Sequence, residues 1–349
     1  MNEFDEQLTA VSRTAAQVAA SCQGKNASEV LSSFGDAGLL GAIASEAAGG
    51  LELPLAFAAA IVAASAPELL CDAIAEALIG ARVVAQFDPQ IAADIAGGRV
   101  LVALSLHDGL AATRAGAGFS VSGSLASVAL ADQARWLVAP VAQGGGTALM
   151  LLDLEAPGVR REQADTLELE RSRAHLRFTA VQAPAQHLCA DAAAVDEFRA
   201  LVHVLYSHWL AAQARACLMR TAEHLSTRRQ FGSALASLQT VRFTLARCAL
   251  ELENLRWLLE GAAEQDAQAA ALQATMAYAY AAAVCPGIVE KCLHLHGGMG
   301  YTWDVPVHRL LRRLRAMTDD YTAGAAREQL ACQTIDVCAS SGGGLSGIG

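Results

Sequence analysis

The stretch from Cys292 to Met317 constrains the fold most, because two helical patterns meet there across a run of glycines. An apolar segment with a helical period ends at His296, the glycines follow, and a basic amphipathic segment begins after Pro306. The pattern predicts a helix, a glycine turn and a second helix. Glycines let a ligand approach the backbone, and their exposed amides can bond anionic oxygens, so this turn could be a binding site. The alternative is that the turn is an ordinary loop after a helix that ends in glycine.

A second element, Thr227 to Gly232, reads Thr-Arg-Arg-Gln-Phe-Gly and closes another long helical segment, with Gln239 following it. With these two elements the sequence resembles the acyl-CoA dehydrogenase family. Members of that family carry an Arg-x-x-Phe-Gly element at the end of one long helix and a Gly-Gly-x-Gly-Tyr/Phe-Thr turn between two later helices. The stretch from Phe34 to Leu51 looks like the N-terminal helix and Gly-Gly-Leu loop of the family, so the resemblance covers nearly the whole chain.

The order of hydrophobic patterns predicts an α+β protein, mainly α, in three parts. Residues 1–98 have apolar positions three and four apart, which predicts a helical N-terminal domain. Residues 99–190 contain short β-favouring runs between glycine-rich or charged turns, which indicates a small β-barrel or sandwich as the middle domain. Residues 191–338 return to helical stripes and favour a C-terminal four-helix bundle, and the Gly/Ser-rich residues 339–349 are expected to be a flexible tail.

Some of these expectations concern individual positions. One bundle stripe is expected to run through Phe243, Leu245, Leu250 and Leu258. A mixed face is formed by the arginines at 309, 312, 313 and 315, which we interpret as a solvated or subunit-interface stripe rather than a substrate anchor. The expected strands are Val100 to Leu104, Phe119 to Val121, Trp136 to Val141, Ala148 to Leu152 and His175 to Phe178.

Composition and charge indicate a protein with a large core and argue against nucleic-acid binding and a membrane span. The 349 residues are 54% hydrophobic and only 17% charged, which indicates a large buried core. A net charge of -10 argues against nucleic acid as a partner. Because no apolar run reaches the ~18 residues of a membrane span and the N-terminus is acidic, no membrane span is predicted and the protein is expected to be cytoplasmic.

The resemblance implies a function for the two glycine-containing elements. Acyl-CoA dehydrogenases carry out α,β-dehydrogenation of an acyl-CoA thioester with FAD, and the bundle of a neighbouring subunit holds the adenosine end of the cofactor. Arginine suits the pyrophosphate because its planar fork makes bidentate, charge-assisted hydrogen bonds. By resemblance Arg228 would bind the pyrophosphate, Gln230 and Phe231 would line the adenosine end beside Gln239, and His294, Gly297 and Gly298 would approach the diphosphate and ribose.

The region of the flavin ring departs from the family pattern. Where members carry Thr-Glu-Pro-x-Ala-Gly-Ser-Asp, this chain has the stretch from Leu104 to Gly109, in which Ser105 is the residue that could retain a hydroxyl for the flavin. Ser127 stands where an aromatic residue normally stacks on the ring, and Ala129 stands where a threonine normally bonds it. These changes remove contact area and hydrogen bonds from the reactive ring.

The catalytic base is also altered. The glutamate of the family falls on Tyr321 when counted without gaps, or on Asp320 if the turn shifts by one residue. The alternative family position corresponds to Val202, which has no acid. Asp320 is therefore the candidate catalytic base, although its side chain is a methylene shorter. No metal is expected at the nearby histidines, because side chains two apart on a helix diverge by ~200°.

The preserved adenosine side and the altered ring side lead to one hypothesis with two alternatives. We expect an oxidoreductase acting on CH-CH groups, in which this chain is a subunit of a heterotetramer and a homologous dehydrogenase subunit supplies the ring wall and the base. A bulky, steroid-type acyl-CoA is the expected substrate, with an electron-transfer acceptor that reoxidises the flavin. The alternatives are a self-sufficient homotetramer with Asp320 as base, and a flavin-free structural paralogue that binds a partner dehydrogenase.

Overall fold

The computed structural model describes residues 3–69, 73–168, 170–230, 232–261, 267–321, 324–328, 330 and 332. Helices make up the N-terminal part, where α2 starts with a capping box of Asn26 and Glu29 and α5 starts with Asp88 as its N-cap, followed by a proline. All residues of α4 except Arg82 are buried, so this helix is interior. The helices are α1 (Glu3–Ser21), α2 (Ala27–Asp36), α3 (Leu55–Ser65), α4 (Ile74–Val84) and α5 (Pro89–Ala96).

A mixed sheet follows, with strand order β6-β7-β3-β2-β4-β5-β8 and β1 paired in parallel with β4. The long strands β3 and β7 are antiparallel, and an irregularity between Leu125 and Val128 puts Ser127 at a φ of 53°. The strands are β1 (Val102–Leu104), β2 (Leu110–Ala115), β3 (Gly118–Ala129), β4 (Trp136–Gln143), β5 (Gly146–Asp153), β6 (Val159–Gln163), β7 (Arg173–Pro184) and β8 (Leu188–Cys189). All the runs expected to form strands contribute to this sheet, while β2, β6 and β8 were not expected.

The C-terminal helices pack as a bundle around α8, so the predicted fold class is confirmed. Two ring contacts show that α6 and α8 run parallel. His203 of α6 stacks on Tyr278 of α8, and further along both helices His224 stacks on His296. The elements are α6 (Ala192–Thr227), the hairpin β9 (Arg229–Gln230) and β10 (Ser233–Ala234), α7 (Gln239–Gly261), α8 (Ala267–Leu295) and α9 (Val307–Asp320). Short 3-10 turns lie at Leu235–Ser237 and Gly297–Tyr301.

Two expectations about helix faces fail at individual positions. On α7, Phe243 and Leu250 are 64% and 65% exposed, and the buried stripe runs instead through Cys248, Leu252 and Leu255. On α9, Arg313 is fully buried rather than solvated. The domain boundaries at residues 98 and 190 stay predictions, and the tail at 339–349 lies outside the described residues.

One described helical segment, Ala271–Leu295, is long and apolar enough to cross a membrane by length and composition. Of its most apolar window, 61% is buried against the rest of the chain. This segment is most of α8, the helix on which the bundle is centred.

Candidate functional site

The end of α6 presents Arg228 at the surface. Its backbone N–H closes the helix by donating to the carbonyl of His224 at 2.9 Å, and its own carbonyl accepts from the N–H of Leu235 at 2.9 Å. The hairpin β9–β10 between these two bonds turns at Gly232, whose φ of 79° a residue with a Cβ rarely adopts. The guanidinium of Arg228 and the side chain of Gln230 are therefore held at an exposed helix end.

The glycine turn after α8 is open to an approaching ligand. Gly297, at a φ of 60°, and Gly298 are both exposed, and no heavy atom lies within 4 Å of a Cβ built on either residue. His294 is exposed on the last turn of α8, whereas His296 folds back so that its Nδ1 lies 2.9 Å from the carbonyl oxygen of Cys292. The sequence prediction of a helix, a glycine turn and a second helix agrees with this geometry.

One ring contact brings these two helix ends together. The imidazoles of His224 and His296 stack with centroids 4.7 Å apart and an interplanar angle of 15°. Arg228 and the glycine turn therefore belong to the same corner of the bundle. Gln239 is the first residue of α7 and is exposed, while Phe231 lies outside the described residues. This corner is called the α6–α8 corner below.

Arg173, at the start of β7, occupies the place where the sequence predicted the flavin ring. Its guanidinium donates to Ser127 through Nε to Oγ at 2.9 Å and through a second nitrogen to the backbone carbonyl at 2.7 Å. It also forms a bidentate ion pair with Asp320, one arm of which measures 3.0 Å. The side chains of Arg173 and Asp320 are only 5% and 6% exposed. The carboxylate predicted to be the catalytic base is thus already held by an arginine.

A second buried ion pair lies beside the first, on the side of α4. Glu76 pairs with Arg171, and both side chains are almost completely buried. The hydroxyls of Tyr206 and Tyr321 lie 2.7 Å apart, and that of Tyr321 lies 3.4 Å from Glu76 Oε1. Burial alone would raise the pKa of Glu76, but Arg171 and the Tyr206 hydroxyl outweigh burial, so its pKa lies below the ordinary value. The carboxylate is therefore ionised at neutral pH.

A third pair completes the network. Arg313 donates to Glu168 at 2.7 Å with both side chains fully buried, and its guanidinium lies 5.0 Å from the ring centroid of Trp209. The far oxygen of Glu168 is 3.6 Å from Arg173, which links this pair to the first. Three arginines thus meet three carboxylates in the interior between α4, the sheet and α9. We call this set of residues the buried ion network: Glu76, Glu168, Arg171, Arg173, Arg313 and Asp320.

Little space remains beside the network. A void of about 10 Å³ is bounded by the predicted ring-side residues Ser105, Ser127 and Ala129 together with Asp320. Ser105 is buried, and its Oγ accepts the N–H of His107 at 3.1 Å. Val202, the alternative position of the base, is completely buried, while Glu197 pairs with Arg82 at the surface at 3.2 Å.

Larger spaces lie elsewhere. A groove of about 900 Å³ runs between α3, α6 and α7, with alanines on its floor and arginines and glutamates on its rim. A cavity of about 380 Å³ lies behind His296 and is shared by α6 and the start of α9. Neither space contains the predicted ring-side residues.

Comparison with known proteins shows what the sequence and fold are similar to. Residues 203–319 match the family model described as the C-terminal domain of acyl-CoA dehydrogenase. Acyl-CoA dehydrogenase FadE27 of Mycobacterium tuberculosis is 26% identical over 316 residues, which is 84% of each chain. The chain is therefore similar to acyl-CoA dehydrogenases, through that domain and, at lower identity, along most of its length.

Other members of the family match over different extents. Mitochondrial isobutyryl-CoA dehydrogenase of Dictyostelium discoideum is 36% identical over 105 residues, which is 29% of this chain but only 25% of that relative. Among solved structures, the Tcur3481-Tcur3483 steroid ACAD G363A variant has a TM-score of 0.87 at 25% identity and covers 96% of this chain and 99% of that one. The ChsE4-ChsE5 complex from Mycobacterium tuberculosis matches the fold with a TM-score of 0.85 at 21% identity, covering 96% of this chain and 98% of that one.

Members of the acyl-CoA dehydrogenase family are FAD-dependent flavoproteins, and the two halves of the candidate site fit FAD differently. At the α6–α8 corner, an exposed arginine and an open glycine turn suit a diphosphate, which needs cations and bare backbone amides. On the ring side, Arg173 fills the wall and the remaining void is far smaller than an isoalloxazine. The residues of this chain fit the diphosphate and do not fit the ring.

Sequence reasoning missed Arg173 and His224. Arg173 is a single cation at the start of a strand, and its partners come from distant parts of the chain. His224 did precede Arg228 by one helical turn, so its position near the predicted pyrophosphate ligand was available as a signal.

Proposed function

We propose that this chain is a subunit of an FAD-dependent acyl-CoA dehydrogenase, assembled as a heterotetramer with a homologous subunit. In this assembly the chain contributes the adenosine and pyrophosphate side of a shared flavin site. The companion subunit contributes the wall of the isoalloxazine ring and the carboxylate that removes the α-proton. Arg228, Gln230, Phe231, Gln239, His294, Gly297 and Gly298 are the proposed residues for the adenosine and pyrophosphate side.

The observation that carries this proposal is the position of Arg173. A guanidinium bonded to Ser127 and paired with Asp320 occupies the ring side, and both groups are buried. Expelling Arg173 to admit a flavin ring would leave Asp320 without its bidentate partner in a water-poor interior, which is costly. The exposed α6–α8 corner carries no comparable obstruction.

The proposed substrate is an acyl-CoA thioester with a bulky, steroid-type acyl group, taken up mainly by the companion subunit. This choice is supported by the resemblance to the Tcur3481-Tcur3483 steroid ACAD. Two-electron oxidation of the thioester at Cα and Cβ reduces the flavin, so an electron-transfer acceptor must reoxidise it.

The test is the visible absorption spectrum of the chain purified alone and after co-expression with its companion. We expect a colourless lone chain and a yellow complex with a flavin band near ~450 nm. A lone chain that carries stoichiometric FAD and turns over acyl-CoA would support the self-sufficient homotetramer, with Asp320 as base, instead. A complex that assembles but stays colourless would support the flavin-free structural paralogue.

A further inference from the structure

We propose that His224 is a further binding group for the flavin diphosphate, and that the stacked pair His224–His296 links diphosphate binding to proton uptake. The inference rests on the proposed function, because it assigns a ligand and a pH response to the same α6–α8 corner. The stacking of His224, one helical turn before Arg228, on His296 at the end of α8 carries it.

The geometry places the pair at the junction of the two binding elements. His224 lies one turn before Arg228 on α6, and His296 immediately precedes the open turn at Gly297 and Gly298. The two rings stack with their centroids 4.7 Å apart. A diphosphate that reaches both Arg228 and the glycine amides therefore passes close to this pair.

The hydrogen bond of His296 fixes which of its two ring nitrogens carries the hydrogen. A carbonyl oxygen can only accept, so the Nδ1 that lies 2.9 Å from the carbonyl of Cys292 carries the hydrogen. In the neutral ring, Nε2 is then a lone-pair acceptor that repels a phosphate oxygen. An anion at this corner is therefore better received by His224, which stacks on this ring.

The surroundings of His224 also disfavour its protonated form. Burial, followed by the neighbouring His296 and Arg228, holds the pKa of His224 below its ordinary value. Stacked imidazolium rings repel each other, so the free corner resists carrying positive charge on both rings. A diphosphate supplies the missing negative charge and removes the penalty for protonation.

Most of the other charged groups around the histidine pair already have hydrogen-bond or ion-pair partners. On α6, Glu223 precedes His224 and is exposed. Glu68, Arg220 and Arg309 face the cavity on the other side of His296. Of these, Arg309 is paired with Glu170 at 2.6 Å, Glu68 accepts from Gln23 at 2.6 Å, and Arg220 donates to the carbonyl of Pro67 at 3.2 Å. His294, which is also proposed to approach the diphosphate, is exposed on the last turn of α8, so the His224 variants are needed to assign the charge change to His224.

The sign of the effect follows from linkage. If the anion raises the pKa of His224, the bound state holds more protons than the free state, and affinity must rise as pH falls. A tenfold gain corresponds to a shift of about one unit in a single group. We therefore expect the dissociation constant to be about tenfold lower at pH 5.5 than at pH 7.5.

The experiment measures ADP-ribose binding to the full chain by titration calorimetry at both pH values. ADP-ribose carries adenosine and a doubly esterified diphosphate whose charge does not change over this range, so a pH effect reports on the protein. Parallel titrations at pH 6.5 in two buffers with different ionisation enthalpies measure proton uptake directly, and we expect net uptake. Equal affinity at both pH values, no uptake, or no binding at either pH would overturn the inference.

Three variants assign the effect. His224→Gln should weaken binding about tenfold at pH 5.5 and little at pH 7.5, whereas His224→Lys should bind tightly at both pH values because its cation is permanent. Arg99→Gln is the control, since Arg99 is an exposed cation paired with Asp94 at the end of α5, and it should behave like the parent chain. A His224→Gln variant that keeps the full pH effect would contradict the role of His224.

The outcome is separable from that of the proposed function. Binding of ADP-ribose without a pH effect rejects the proton link and leaves the shared site intact. If the lone chain binds ADP-ribose with proton uptake but the flavin content of the complex does not depend on Arg228, the proton link at His224 stands and the assignment of this corner to a shared flavin site is rejected.

Discussion

Asp320 is the residue on which the alternative functions differ most. As a base it needs a free carboxylate facing substrate, and as a member of the buried ion network it needs Arg173. The structure places it against Arg173 with its side chain 6% exposed. Its role as the base stays a prediction, and the geometry favours a stabilising role.

The first prediction concerns stability. Asp320→Asn removes the bidentate partner of Arg173 and leaves it only Glu168, 3.6 Å away, so we expect the free energy of unfolding to fall by about 3 kcal/mol, measured by denaturant titration. Asp94→Asn is the matched control, because its pair with Arg99 is largely exposed and should contribute less than about 1 kcal/mol. An Asp320→Asn chain as stable as the parent would contradict the stabilising role.

Among individual residues, those at the surface corner could be predicted from the sequence and those in the buried network could not. The exposed positions at the α6–α8 corner could be predicted, because the Arg228 element and the glycine turn are local patterns. The buried ion network could not, because Arg173 meets Ser127 and Asp320 only after β3, β7 and α9 have packed. Arg313 was misjudged for the same reason, since an arginine-rich helix normally faces solvent and its partner Glu168 is remote in sequence.

At the scale of elements, the parallel pair α6–α8 supports the candidate site. The ring of His203 on α6 stacks on Tyr278 at 4.7 Å, and its Nδ1 lies 3.3 Å from Thr275 Oγ1. Burial lowers the pKa of His203 to about 4 and that of His208, further along the same helix, to about 4 as well. These helices therefore pack around neutral imidazoles.

The second prediction follows from those shifts. Between pH 6.5 and 4 the unfolded chain binds protons that the folded chain excludes, so stability falls with decreasing pH in that window. His203→Phe keeps the ring stack and leaves Thr275 bonded to the carbonyl of Ala271, so this fall should shrink by up to about 3 kcal/mol.

The comparison requires unfolding free energies at pH 6.5 and pH 4.5. His294→Gln, a change at an exposed histidine, is the control and should leave the fall unchanged. An equal loss of stability in the His203→Phe chain would contradict the prediction.

Element order was the part of the fold most accessible from sequence. Helical periodicity over α6 and β-favouring runs over β3, β4, β5 and β7 are local signals, and the structure agrees with them. Which face of α7 is buried was not accessible, because Phe243 and Leu250 are apolar yet exposed. Periodicity identifies an apolar face but does not identify what covers it.

At the scale of the whole molecule, the site is divided between an open corner and a filled interior. The α6–α8 corner offers a cation and bare amides at the surface, while the buried ion network occupies the ring side with balanced charge. This distribution supports the proposal that the flavin site is shared with another subunit.

The most direct test is the FAD content of the purified complex when only this chain is altered. Arg228→Ala should reduce flavin from about one per companion subunit to a small fraction, since a charge-assisted contact to the diphosphate is lost, while Arg99→Ala should leave it unchanged. Absorbance after denaturation gives the stoichiometry, and light scattering confirms that the complex remains assembled. An assembled Arg228→Ala complex that keeps its full flavin content would contradict the shared site.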